Sequence, residues 1–280
     1  MFCEKKRINL GLIDEDKIRD WIIPYLSKGK RGFAPRICLI KVVQLILKRM
    51  KTGCQWREVS VKEYFEYKVS WQLIYYYFNK WSKDGSSRQV WIALLSGHKG
   101  ELDLCSAQFD GSHTPSKRGG EQVGYQGRKG CKTTNSLYLS DNKGQLLSVG
   151  RPQSGEHNDL YEITSIFEEM ISVLEEADIT CKGVFLNADP GFDSEEFRLV
   201  CDQKDIALNV KPNKRNSKFS TDQYRYFDDE LYKRRIKIEH ANAWIDAFKE
   251  LLVRYETKTF TWLGLHWLAF ITLFCRKLKV

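Results

Sequence analysis

The sequence predicts an α/β protein: a mixed sheet with helices on its faces, preceded by an all-helical N-terminal region. Three observations predict it. Residues 14–97 carry apolar spacings of helical period and no strand signal. From Leu102 short apolar runs begin, LDLCSAQFD and GVFLNAD among them, each ending in an aspartate. After that point three strands of antiparallel type are followed by helix, strand, helix, strand, helix, the order of a sheet covered by helices.

Each element follows from local chemistry. Asp14 is suited to cap a helix over 14–23, which Pro24 stops. An amphipathic stretch at 37–51 ends before Gly53, and Ser60 with Glu63 forms a capping-box pattern for a short third helix. The aromatic run SWQLIYYYFNKW predicts a helix over 70–81, and another follows over 87–96. Short helices with tight turns suit a helix-turn-helix-like DNA-binding unit, so residues 1–98 are expected to form that region and 99–280 the sheet domain. The first strand, 102–110, runs into a glycine-rich loop bearing Lys117, Arg118, Arg128, Lys129 and Lys132. Strands at 133–140 and 145–152 flank Asp141-Asn142-Lys143-Gly144, a hairpin signal. Asp159 is suited to cap a helix running to Glu176, and Asp193, three residues before Glu196, to cap the helix over 194–204. Strands at 183–189 and 206–210, a basic loop at 211–218 and a long helix over 231–255 follow. The last helix, 260–278, carries an apolar run over 260–275 that is shorter than the roughly 20 residues of a membrane span, contains His266 and ends in Arg276-Lys277, so it is expected in the core.

Composition narrows the function. With 42% hydrophobic residues the chain can build real cores, which excludes global disorder. The 45 Lys+Arg and net charge of +9 point to a polyanionic partner, nucleic acid ahead of a membrane surface. Eight cysteines lie scattered without a C-x-x-C pair, as reduced core residues would, not as a disulfide frame or zinc site. The N-terminus lacks the apolar core of a signal peptide, so a cytoplasmic protein is expected.

The candidate chemistry lies in three acids. A carboxylate at the end of a buried strand is costly unless a cation meets it. If the first and fourth strands are neighbours, Asp110 and Asp189 lie side by side, and Glu239, on the helix after the fifth strand, can complete the cluster. Oxygen ligands alone suit Mg²⁺ or Mn²⁺. Two such ions would activate a water or a 3′-hydroxyl and stabilise the leaving oxygen at a phosphodiester. Asp193, Asp228, Asp229 and Glu230 are rival acids, and His157 reads as a turn residue. Arg234, Arg235 and Lys237 lie beside Glu239, where they suit phosphate contacts.

With these residues in view, the chain resembles the DDE transposases of bacterial insertion sequences, of the insertion-sequence-five type. The segments that carry the resemblance are PRICLIKVVQLILKRMKTGCQWREV and YYYFNKWSKDG, then FDGSHT, GRKGCKTTNSLYLSDNKGQLL, SGEHNDL and NADPGFDSEEF in order. The family's signature of Tyr, Arg, Glu and Lys at fixed spacing is met by Tyr232, Arg235 and Glu239, but Asp246 stands where the lysine belongs, with Lys249 three residues on. The resemblance implies an RNase H-like core with Asp110, Asp189 and Glu239 as the metal-holding catalytic triad. It implies DNA contacts by Tyr232 and Arg235, with Lys249 expected to supply the missing charge. It also implies double-stranded DNA partners, both the element's terminal inverted repeats and its target, and a homodimer acting on two ends in the bacterial nucleoid. Alternatives are a metal-dependent nuclease without strand transfer, or an inactive DNA-binding copy.

Overall fold

The computed structural model describes residues 12–28, 37–212 and 227–278. The chain begins with α1 (Glu15–Lys17), which runs on through a π-helical stretch, Ile18–Ile22, and a 3-10 turn, Ile23–Tyr25, that contains Pro24. Asp14 stands at the N-cap without a side-chain capping bond. Next, α2 (Leu39–Thr52) ends at Gly53 in the left-handed conformation, as its sequence predicts. The expected third helix is only a 3-10 turn, Val61–Glu63, and Ser60 makes no side-chain cap bond there. The aromatic segment forms α3 (Trp71–Lys83), and α4 (Ser86–Gly97) closes the helical region.

The sheet contains β1 (Ser106–Pro115), β2 (Gly124–Gln126), β3 (Cys131–Asp141), β4 (Leu146–Val149), β5 (Gln153–Ser154), β6 (Phe185–Ala188) and β7 (Ala207–Val210). Its main order is β2-β3-β1-β6-β7, with β4 and β5 also paired to β3. Strand β1 is antiparallel to β3 and parallel to β6, and β7 continues the parallel part. Antiparallel strands at one side and parallel strands with helical crossovers at the other make the fold RNase H-like. The sequence reading ends the first strand at Asp110, whereas β1 continues to Pro115 because β3 offers it a partner as far as Thr133. Ladder hydrogen bonds there override the poor strand propensity of Gly111 and Pro115.

Helices α5 (Ile163–Glu176) and α6 (Glu195–Gln203) are the crossovers. Neither is capped as its sequence suggests. Glu162, in the left-handed region, precedes α5 because Asp159 is engaged elsewhere, accepting from Asn135 Nδ2 at 2.6 Å. Ser194 caps α6 through the Phe197 amide, while the buried Asp193 pairs with Arg198 at 2.7 Å. The predicted long helix over 231–255 is three pieces: α7 (Asp229–Lys233), α8 (Ile236–Asp246) and α9 (Lys249–Leu252). Phe248, extended and 1% exposed, interrupts it, since burying its ring outweighs continuing the spiral. The basic loop expected over 211–218 lies mostly outside the described residues. Finally α10 (Thr259–Lys277) is buried almost all round, as expected. Among the described residues no helix is long and apolar enough to cross a membrane.

Alternation along β1 divides the core into two layers. Phe109 faces Phe167 of α5, Phe192 of the turn before α6, and Phe197 of α6, at centroid distances of 5.5, 4.9 and 5.3 Å. On the other face Tyr138 of β3 meets His266 of α10, Oη to Nε2 at 2.8 Å. His266 Nδ1 lies 2.9 Å from the Trp262 carbonyl, so Nδ1 carries the proton and Nε2 accepts from the tyrosine. Burial pushes that imidazole down to about 4 and keeps it neutral.

The helical region shares this core. Trp91 of α4 packs edge-on against Phe270 and Phe274 of α10. Helix α10 also crosses α3 so closely that a Cβ on Gly264 would lie 2.1 Å from Ser82 Oγ. Lys17 Nζ donates to the carbonyls of Cys275 and Leu278 at 2.8 and 2.7 Å, satisfying the end of α10. Arg49 of α2 forms a buried pair with Glu250 of α9 at 2.6 Å and stacks 4.2 Å from the Trp56 ring. The described cysteines are all free, but only Cys201 and Cys275 are buried, and Cys38 and Cys105 are exposed. Among the described cysteines, the expectation of core residues holds for those two alone.

Candidate active site

The parallel ladder between β1 and β6 ends at Phe109 opposite Ala188. Asp110 and Asp189 are the next residues of each strand segment, so register alone brings them abreast. Asp110 projects to the face covered by α8, opposite Phe109. Asp189 caps a 3-10 turn, Pro190–Phe192, its Oδ1 accepting from the Gly191 amide at 2.8 Å while Oδ2 faces the cluster. Glu239 lies in the first turn of α8 with its side chain 59% exposed.

Arg235, the N-cap residue of α8, sits among all three acids. Its Nη1 is 3.7 Å from Asp110 Oδ1, and its Nη2 is 3.4 Å from Asp189 Oδ2 and 3.9 Å from Glu239 Oε1. Asn242, one turn after Glu239, donates to Asp110 Oδ2 at 3.5 Å. Burial pushes the Asp110 carboxyl up to about 6; the Arg235 charge opposes this, and Asp159 and Asp189 reinforce it. Among the described residues no three His, Cys, Asp or Glu side chains are close enough together to hold a metal ion as they stand. The three carboxylates are instead spread around the guanidinium. The donor set still fits a hard divalent cation, being oxygen only, carboxylate only and already arranged about a positive charge.

A buried amide ladder beneath the acids is absent from the sequence reading. Asn187 Nδ2 donates to Gln108 Oε1 at 3.0 Å, and Asn209 Nδ2 donates to Asn187 Oδ1 at 2.7 Å, across the three parallel strands. Asn209 continues to the backbone of Asp228, donating to its carbonyl at 2.9 Å and accepting from its amide at 2.8 Å. Asp228 in turn caps α7 through the Leu231 amide. The ladder therefore ties the start of the α7–α8 segment, and with it Arg235 and Glu239, to the strands that carry Asp110 and Asp189. The signal for it is present: a lone amide two residues before each aspartate, QFD and NAD, in otherwise apolar strands.

Asp159, whose sequence suggests only a helix cap, also lies at this site. A Cβ on Gly111 would lie 2.5 Å from Asp159 Oδ1, so this acid closes on the β1 backbone beside Asp110 and would have to shift to admit any larger residue there. His157 stacks on Tyr161 at 3.6 Å, a structural role.

The remaining sequence candidates spread around this centre. Tyr232 of α7 packs against Phe227, with Lys211 Nζ 5.5 Å from its ring centroid. Lys117, Arg118, Arg128 and Lys132 are exposed. Lys129, also exposed, donates to the His113 carbonyl at 2.8 Å, and its charge acts on Asp246 at the end of α8. Lys249 does not extend the Glu239 face. It opens α9 after the break at Phe248, its Cβ 3.0 Å from where a Cβ on Gly53 would be.

Two protein families match the chain. A family described as "transposase of IS4/5 family" matches residues 17–91, and "DDE superfamily endonuclease" matches residues 109–274, more than half of the chain. No curated protein matches. Solved structures similar to the chain include a Mos1 transposase paired-end complex with left transposon end, 13% identical, covering 89% of this chain and 81% of that one at a TM-score of 0.28. A Mos1 mariner paired end complex with Mn is 14% identical, covering 93% and 84% at a TM-score of 0.29. With the acids abreast on β1 and β6, the third on α8 and a family match spanning all of them, the chain belongs to the DDE superfamily of endonucleases, with an N-terminal part of the IS4/5 transposase kind.

Proposed function

We propose that this chain binds the ends of its own mobile element, cleaves the phosphodiester there and joins the freed 3′-hydroxyls to target DNA. The observation that carries the reading is the convergence of Asp110, Asp189 and Glu239, from two neighbouring strands and one helix, on a single cationic centre. These three carboxylates would hold two Mg²⁺ or Mn²⁺ ions. When bound, such ions lower the pKa of an attacking water or 3′-hydroxyl and stabilise the leaving oxygen. The chain's own groups position the DNA. Arg235, with Arg234 and Lys237 exposed beside it, offers charge to the phosphates near the cut, and Tyr232 borders the same approach. Lys117, Arg118, Arg128, Lys129 and Lys132 extend the positive path along the strand edge, which is backbone contact rather than sequence reading. Lys249, at the junction with the helical region, would serve DNA held between the two parts. Sequence reading falls to the helical region, 1–98, where α3 exposes Leu73 and Tyr76. Two copies on two ends would act together.

The test is product analysis on element-end duplex with Mg²⁺ or Mn²⁺. Asp110→Asn, Asp189→Asn and Glu239→Gln should each abolish nicking and strand transfer while retaining end binding in chelator. Cleavage by any one variant at the wild-type rate removes that residue from the site, and cleavage in chelator refutes metal dependence. Nicking without joined product reduces the activity to that of a nuclease.

A further inference from the structure

Arg235 occupies the centre toward which all three acids of the proposed metal site turn, and the way it is held is informative. Its side chain is 18% exposed, and its guanidinium lies between 3.4 and 3.9 Å from one oxygen of each carboxylate. Only the contact to Asp189 meets hydrogen-bond geometry. Nη1, the nitrogen facing Asp110, is buried with no hydrogen-bond partner among the described residues. Arginine–carboxylate pairs draw their strength from the bidentate fork, and none of the three pairs forms one. Charge balance, not directional bonding, therefore keeps the side chain there. Three carboxylates this close repel one another, and one cation among them relieves that repulsion.

We infer that Arg235 is the resting counter-ion of the carboxylate cage, displaced when divalent ions bind. The inference rests on the reading of Asp110, Asp189 and Glu239 as metal ligands and adds a coupling to it. The guanidinium and the ions require the same carboxylate oxygens, so each excludes the other. Because Arg235 stands at the start of α8, one turn before Glu239, rotation about its side-chain bonds suffices to carry the guanidinium outward without moving the helix. A phosphate oxygen is the acceptor that matches its fork. DNA that engages Arg235 thus vacates the cage, and ions that fill the cage release Arg235 for DNA. Each ligand should strengthen the other, by the same factor. Free protein would bind ions weakly, which withholds the cutting chemistry until DNA is present.

The test is Mn²⁺ titration of the full-length chain without DNA, with free Mn²⁺ followed by electron paramagnetic resonance and folding checked by far-UV circular dichroism. Arg235→Ala and Arg235→Gln should bind Mn²⁺ on the order of tenfold tighter than wild type, about 1.4 kcal/mol. Arg235→Lys, which keeps the charge, should stay near wild type. Lys237→Ala removes a charge from the same helical turn without touching the cage and should change affinity far less. A random-sequence DNA duplex should tighten Mn²⁺ binding to wild type but not to Arg235→Ala. Binding by Arg235→Ala and Arg235→Gln no tighter than wild type overturns the inference. An equal gain from Lys237→Ala does so too, since the effect would then be general charge. Adding Asp110→Asn to Arg235→Ala must abolish the tight binding. If it does not, or if no variant binds Mn²⁺, the metal-site reading itself fails and the inference falls with it.

Discussion

Exchanging Glu250 tests whether charge fastens the helical region to the sheet domain. Arg49 of α2 meets Glu250 of α9 at 2.6 Å, with side chains 5% and 1% exposed, and Glu256 lies 3.3 Å from the same nitrogen. Burial pushes the Glu250 carboxyl from 4.5 up to about 7, against the pull of Arg49. That span corresponds to about 3 kcal/mol against the ionised form in the folded protein. Removing one partner of a buried pair costs about 3–5 kcal/mol, because the other charge stays buried. Glu250→Gln leaves Arg49 with Glu256, so its cost should be near the lower end, about 3 kcal/mol at about pH 6, and should shrink by roughly 1 kcal/mol toward pH 8, where wild type has lost the stability that its raised carboxyl pKa supplies. Arg49→Met instead leaves a carboxyl that can take up a proton. Its folded-state pKa, freed of the guanidinium, rises further above the unfolded value. A carboxyl raised in this way favours the folded state at low pH, and that advantage is lost as pH rises through the folded pKa. Relative to wild type, Arg49→Met should therefore be milder at about pH 6 than at about pH 8, by roughly 1 kcal/mol or more. Urea unfolding, followed by tryptophan fluorescence and far-UV circular dichroism, measures this at both pH values. The double variant should cost less than the sum of the singles. Strict additivity, or an Arg49→Met cost that is equal at both pH values, would refute the reasoning.

Three further outcomes follow from the same geometry. Gly111→Ala should destabilise by about 1–3 kcal/mol, since the new Cβ must push Asp159 off Asn135; a neutral result in urea unfolding would show that Asp159 moves freely. Phe109→Ala should cost about 3–5 kcal/mol by opening a cavity among Phe167, Phe192 and Phe197, and a loss below about 1 kcal/mol would mean the layer collapses around it. Arg128→Ala and Lys132→Ala should each lower the slope of log affinity for duplex DNA against log salt by about 1, uniformly across sequences; unchanged slopes would take the β2–β3 turn off the DNA path.

Much of this protein is determined by the sequence itself. Apolar runs of strand length ending in Asp110 and Asp189, and the change of period near Leu102, are properties of local order, and they suffice for the α/β class and for the five longer strands, whereas the short β2 and β5 exist only because β3 lies alongside to pair with them. The buried character of α10 is likewise visible in its composition. Tertiary structure decided what local order cannot encode. The strand beyond Asp110 exists because β3 lies alongside it, and the break at Phe248 exists because a buried ring outweighs helix continuation. Asp159 and Asp193 have capping chemistry by sequence, yet each is drawn to a distant partner, Asn135 and Arg198. The placement of Arg235 is the clearest case. Helical spacing puts it on the face of Glu239, where it reads as a phosphate ligand. Only the pairing of β1 with β6, and the amide ladder that ties α7 to them, bring it to the centre of three acids whose mutual repulsion calls for a cation.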